Sequence, residues 1–102
     1  MTQVEIVGRD EKELRILLNG EIDSGNADEF FKTVLDAYQQ APAKIVFSCE
    51  GLEFIDSTTL GTFVKLLKVV KADGYGIALN GLQAKIKKLF VICALDSIME
   101  IA

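Results

Sequence analysis

A chain of 102 residues is the size of one domain, and can bury about two-thirds of the surface its unfolded form exposes, enough for a core without disulfides or metals. Its 15 acidic and 11 basic residues give a formal net charge of −4, which offers no general attraction to nucleic acid or anionic membrane and points to a protein partner. No histidine is present, so Ser-His-Asp and Cys-His catalytic arrangements and histidine-ligated metal sites are excluded.

Near the start, Val4 and Ile6 alternate with Gln3 and Glu5. After the polar GRDEKE, Leu14, Ile16 and Leu18 alternate with Arg15, Leu17 and Asn19, which predicts an antiparallel strand pair. From Asn26 the spacing changes to Ala27, Phe30, Phe31, Val34, Leu35 and Tyr38, one apolar helical stripe, with Asn26 and Glu29 as a capping box and an end near Ala41-Pro42. The β-branched and aromatic run from Lys44 to Cys49 predicts a strand. Leu60, Phe63, Val64, Leu67 and Val70 predict a second helix closed by Asp73-Gly74. A strand around GIALN, a helix from Gln83 to about Ala94 and a short strand near IMEI complete the order ββαβαβαβ.

That order is an α/β layout in which right-handed crossovers join parallel strands. Arg15, Asn19, Lys44, Ser48 and Asn80 interrupt the apolar runs that a sheet covered on both sides would show. The expectation is a singly wound mixed sheet with its helices mainly on one face. With no repeat, linker or low-complexity tract, residues 1–102 read as a single domain. Cys49 and Cys93, each in an apolar run, read as buried reduced thiols with no disulfide. The N-terminus lacks a basic start followed by an apolar run, and no segment approaches the ~20 apolar residues that cross a bilayer, so a cytoplasmic location is expected.

Little in the chain suggests chemistry. The glycines of DGYGIALNG lie between a helix and a strand, the reverse of the order that cradles phosphate, and read as a helix-stop turn. Glu21, Asp23 and Asp56 can gather at neighbouring strand ends, either as a site for a hard cation or as solvated loop acids, and no metal or cofactor is assigned. The stretch FIDSTTLG, Phe54 to Gly61, carries two readings. Asp56, Ser57 and Thr58 are favoured helix caps, while a serine at a strand-helix turn is exposed where a phosphate meets free N–H groups and the positive helix end.

FIDSTTLG resembles the strand-loop-helix signature of the STAS domains, in particular the bacterial anti-sigma factor antagonists of the SpoIIAA/RsbV type. LLNGEIDSGNADEF resembles the strand and loop before that family's first helix, and KIKKLFVICALDSIMEI its third helix and last strand, in the same order over nearly the whole chain. The resemblance implies a SpoIIAA-like fold and a regulator rather than an enzyme. It implies phosphorylation at Ser57 by the anti-sigma factor, itself a serine kinase with a GHKL-type ATP site. Unphosphorylated protein binds that kinase and frees the sigma factor; phosphorylated protein lets go, and a PP2C-type phosphatase resets it. Two departures are Thr59, where the family commonly has glycine, and Ala94-Leu95 in place of Gly-Leu.

At 100° per residue, Leu66 and Val69 lie away from the second helix's stripe, beside Thr62 and Lys65, either as scattered surface apolar residues or as part of a binding patch. The expected docking surface joins Asp23 and Ser24 to Asp56, Ser57, Thr58, Thr62, Leu66 and Val69. The competing reading is a STAS scaffold or accessory subunit, as in a stressosome or a lipid-transport ABC complex. A small enzyme is the third, opposed by the missing histidine and cofactor motifs.

Overall fold

Leu14, Ile16 and Leu18 fall on one side of a ten-residue strand, β2 (Glu13–Ile22), and are fully buried, while Arg15 between them is exposed. In the computed structural model, which describes residues 4–10 and 12–102, β2 pairs antiparallel with β1 (Val4–Arg9) and parallel with β3 (Lys44–Ile55). The placement of Gln3 lies outside the described residues. On the far side of β3 run β4 (Ile77–Asn80) and the two-residue β5 (Glu100–Ile101), both parallel to it, so the strand order across the sheet is the order in the chain. Each parallel step is bridged by a helix: α1 (Ala27–Gln40), α2 (Ser57–Ala72), and α3 (Ala84–Ile92) followed by a turn of 3₁₀ helix at Leu95–Ser97. Crossovers between parallel strands are right-handed as a rule, and three of them progressing one way put all three helices on one face; the 21 Å thin dimension is that of one sheet plus one helical layer.

The core lies between those layers. Phe47 of β3 meets Phe30 of α1 and Phe63 of α2 at ring centroid distances of 6.1 and 5.3 Å; Phe63 also meets Phe30 at 5.2 Å and Phe90 of α3 at 5.4 Å. One aromatic chain thus ties every helix to the central strand, each pair contributing about 0.5–1.5 kcal/mol beyond its area. At the opposite end from the strand-helix corners, the buried Tyr38 hydroxyl donates to Asp73 Oδ2 at 2.6 Å and clips α1 to the end of α2. Burial, then the Asp73 carboxylate, pushes the Tyr38 phenol above its ordinary range. The second helix stops as expected: Asp73 caps it and Gly74 takes φ +88°, a conformation side chains resist.

Four expectations change. β3 does not end at Cys49; it runs to Ile55 by taking in one extra residue between Ser48 and Gly51, and another between Leu52 and Phe54, relative to β2. Each bulge moves the inward set, from Ile45, Phe47 and Cys49 to Leu52 and then Ile55, so simple alternation breaks there. Ile6 is 42% exposed rather than core, because β1 is an edge strand that bulges at Val7. Cys93 is exposed; only Cys49 is buried, and burial, followed by the charge of Glu50, pushes its thiol up to about 12. Asn26 and Glu29 form no capping box. The Asn26 amide instead accepts from Asp23 N–H at 2.9 Å and donates to Glu21 O at 2.9 Å, serving the loop rather than the helix.

Candidate functional site

The bulged end of β3 delivers Asp56 to the mouth of α2 beside the end of β2, at the carboxyl ends of two parallel strands. Asp56 has extended backbone and is the N-cap: its Oδ1 accepts the Thr59 N–H at 3.0 Å. Because the aspartate caps the helix, Ser57 and Thr58 are left exposed. The other Asp56 oxygen accepts the Ser24 N–H at 2.9 Å, across 32 residues of sequence, so one carboxylate holds the β2–α1 loop against the start of α2. Asp23 Oδ1 accepts the Gly25 N–H at 2.9 Å and shapes the same loop. Asp23, Ser24, Asp56, Ser57 and Thr58 therefore meet at one corner.

The N–H of Thr59, foremost, with those of Ser24 and Thr58 and the Thr59 hydroxyl, holds the Asp56 carboxyl below the usual carboxylate range, against a smaller opposing effect of burial. The carboxylate is charged in any neutral medium, and Ser57 sits directly beside it. Thr59, where the family commonly has glycine, adds nothing to the exposed surface of the corner. It is fully buried, with its hydroxyl hydrogen-bonded to Ile22 O and 3.0 Å from Asp56 Oδ1.

Three members of the expected docking surface are corrected. Leu66 and Thr62 are buried, at 1% and 3% exposure, and Val69 is half-buried against the core. The reason is the position of α2: its strand-to-strand crossover sits between those of α1 and α3, so both its flanks are covered. Its buried arc is centred on Thr59, Phe63, Leu66 and Val70 and flanked by Leu60, Thr62 and Leu67, wider than a single stripe. The Thr62 hydroxyl donates to Thr58 O at 3.0 Å, satisfied within the helix.

Beyond Ser57 and Thr58, the N-terminal part of α2 presents Gly61 and Lys65, and the rest of the helix exposes Lys68, Lys71 and Ala72. The Lys65 ammonium lies 4.7 Å from the Phe31 ring centroid on α1, and Phe54, three residues before Ser57, is 47% exposed at the end of β3. Sequence reasoning missed Phe54, although an aromatic falling outside the alternation just before the capping aspartate was its signal. Glu21, Asp23 and Asp56 do not form a cation site; among the described residues no group of three or more acidic or cysteine side chains is placed to hold a metal. No helix of the described residues is long and apolar enough to cross a membrane.

A family model for the STAS domain matches residues 3–102, which takes in both loops of this corner. The chain belongs to the STAS domain family. This STAS domain is 32% identical over 99 residues to the anti-sigma-B factor antagonist of Listeria monocytogenes, an alignment covering 96% of the chain and 86% of the relative. Among solved structures it is similar to a candidate anti-sigma factor antagonist from Thermotoga maritima, with a TM-score of 0.80 and 31% identity over 96% of this chain and 82% of that one. It also resembles the Bacillus cell fate determinant SpoIIAA in its phosphorylated form, with a TM-score of 0.73 and 25% identity over 98% of this STAS chain and 89% of the other. The mixed five-stranded sheet with helices on one face is thus the STAS fold.

Proposed function

We propose that the protein is an anti-sigma factor antagonist that works by partner switching, not an enzyme. Unphosphorylated, it binds an anti-sigma factor that is also a serine kinase of the GHKL type. Phosphorylation at Ser57 releases it, and a PP2C-type phosphatase restores it. It acts in the cytoplasm with no cofactor and without touching nucleic acid or membrane. The observation that carries this reading is the division of labour at the corner, where Asp56 caps α2 and leaves the Ser57 hydroxyl exposed and free to accept a phosphoryl group. The antagonist names of relatives that match over nearly the whole chain, and the existence of a phosphorylated SpoIIAA, support it.

The docking surface is the corner of Asp23, Ser24, Asp56, Ser57 and Thr58 extended over Gly61, Lys65 and Phe54. Phosphate blocks it by charge and bulk rather than by rearranging the domain. A phosphoserine carries about −1.5 to −2 charges at neutral pH, and beside the first-turn N–H groups of α2 the free domain tolerates it. A partner packed against it must desolvate that charge next to Asp56 and Asp23.

The test is incubation with ATP and a cognate anti-sigma factor kinase of the GHKL type, followed by mass spectrometry and calorimetry. One phosphate on Ser57, and affinity lost with it, is expected. Full phosphorylation of a Ser57→Ala variant sinks the assignment, and unchanged affinity after phosphorylation sinks the switch.

A further inference from the structure

Thr59 carries a hydroxyl that helix capping does not require. The cap needs only the Asp56 carboxylate and the Thr59 backbone N–H, which any residue at this position supplies. The Thr59 side chain is fully buried, and its single hydroxyl proton lies between two acceptors, Ile22 O and Asp56 Oδ1. Asp56 in turn accepts the Ser24 N–H. The Ile22 carbonyl, Thr59 hydroxyl, Asp56 carboxylate and Ser24 amide, joined through Asp23, therefore close a ring that ties the last residue of β2 and the loop after it to the start of α2, across 37 and 32 residues of sequence.

We propose that Thr59 is a positioning residue for phosphorylation and docking: its buried hydroxyl clamps the end of β2, where the β2–α1 loop begins, to the Asp56 carboxylate that holds Ser24, so that Ser24 and Ser57 meet the kinase as one preformed surface. The proposal rests on the function read above for Ser57. Its physical content is preorganisation. A loop already held in place by folding costs a partner no ordering entropy on binding. If the hydroxyl is absent, Ile22 O loses its side-chain partner and Asp56 Oδ1 loses the shared proton, so the loop's anchor at the Ser24 N–H to Asp56 bond is loosened although the helix remains capped.

Thr59→Val keeps the branched shape and removes the hydroxyl, whereas Thr59→Ser restores it. In Thr59→Val the Ser24 amide, followed by NMR, should exchange with solvent about five- to tenfold faster, the range expected for one lost hydrogen bond, while the amides of Lys44 to Cys49 stay as they were. KM for phosphorylation of Ser57 should rise severalfold with kcat unchanged, and Thr59→Ser should return both readouts to those of the parent. Unchanged Ser24 exchange in Thr59→Val overturns the clamp, and so does faster exchange spread evenly through β3, which marks a merely structural role. Faster Ser24 exchange with an unchanged KM overturns the positioning claim. A parent protein that the kinase never phosphorylates at Ser57 removes the functional reading instead, while the exchange comparison, which needs no kinase, still decides the clamp.

Discussion

Replacing Leu66 by alanine should destabilise the protein severely, although the residue lies on the helix that begins at Ser57. Leu66 is 1% exposed near the centre of the buried arc of α2. Truncating a buried leucine costs about 2–5 kcal/mol, the upper part of the range applying where neighbours cannot collapse into the gap. Here α1 and α3 flank α2 and the sheet lies beneath it, with Phe63 already fixed by three other rings, so closure is poor and about 3–4 kcal/mol is expected. An unfolding entropy of about 2.1 cal/mol/K per residue gives roughly 0.2 kcal/mol/K for 102 residues, so the midpoint should drop by about 15–20 °C. Lys65→Ala, one residue earlier and exposed, should move the midpoint by no more than about 2 °C while weakening the kinase complex. Thermal melts by circular dichroism, paired with calorimetric titration, measure both. A Leu66→Ala midpoint within about 3 °C of the parent would refute the packing argument and return Leu66 to the docking surface.

Ser57→Asp should lower affinity for the anti-sigma factor by less than phosphorylation does, since it adds one charge instead of nearly two, with amide shifts confined to the corner; changes reaching Lys44 to Cys49 would contradict a local block. The lowered pKa of Asp56 fixes the sign of one pH effect: its contribution is fully present above its unfolded value near 4 and is lost as pH falls through the lower folded value. Asp56→Asn should therefore flatten the fall in stability seen in acid melts below about pH 4, and an unaltered profile would mean that other carboxylates govern it. With a thiol-reactive disulfide reagent at pH 8, Cys93 should react within seconds and Cys49, buried and pushed up to about 12, only as fast as the protein unfolds; two equally fast thiols would overturn the placement of Cys49.

Much of the fold was legible because its signals are local. Alternation in Leu14 to Leu18, the stripe from Ala27 to Tyr38 and the Asp73-Gly74 stop each reflect the period of one element, and the polar breaks at Arg15, Lys44 and Ser48 marked the open face. The corner was legible for the same reason. Asp56, Ser57 and Thr58 adjoin in sequence, and the loop at Asp23 and Ser24 precedes a recognisable helix.

What failed required knowing the neighbours. The stripe of α2 took in Val64 and left out Leu66, yet Val64 is only half-buried and Leu66 is core, because the width of a helix's buried arc is set by what flanks it, and α1 and α3 lie far away in the chain. The end of β3 was hidden because a bulge trades local period for register with β2. Asn26 looked like half of a capping box until the loop supplied Asp23 N–H and Glu21 O as better partners. Sequence alone thus determined the elements, their order and the serine to watch. Only the tertiary structure decided that Asp56 and Thr59 join two distant loops, since a hydrogen bond across 32 or 37 residues leaves no periodic trace in the chain that makes it.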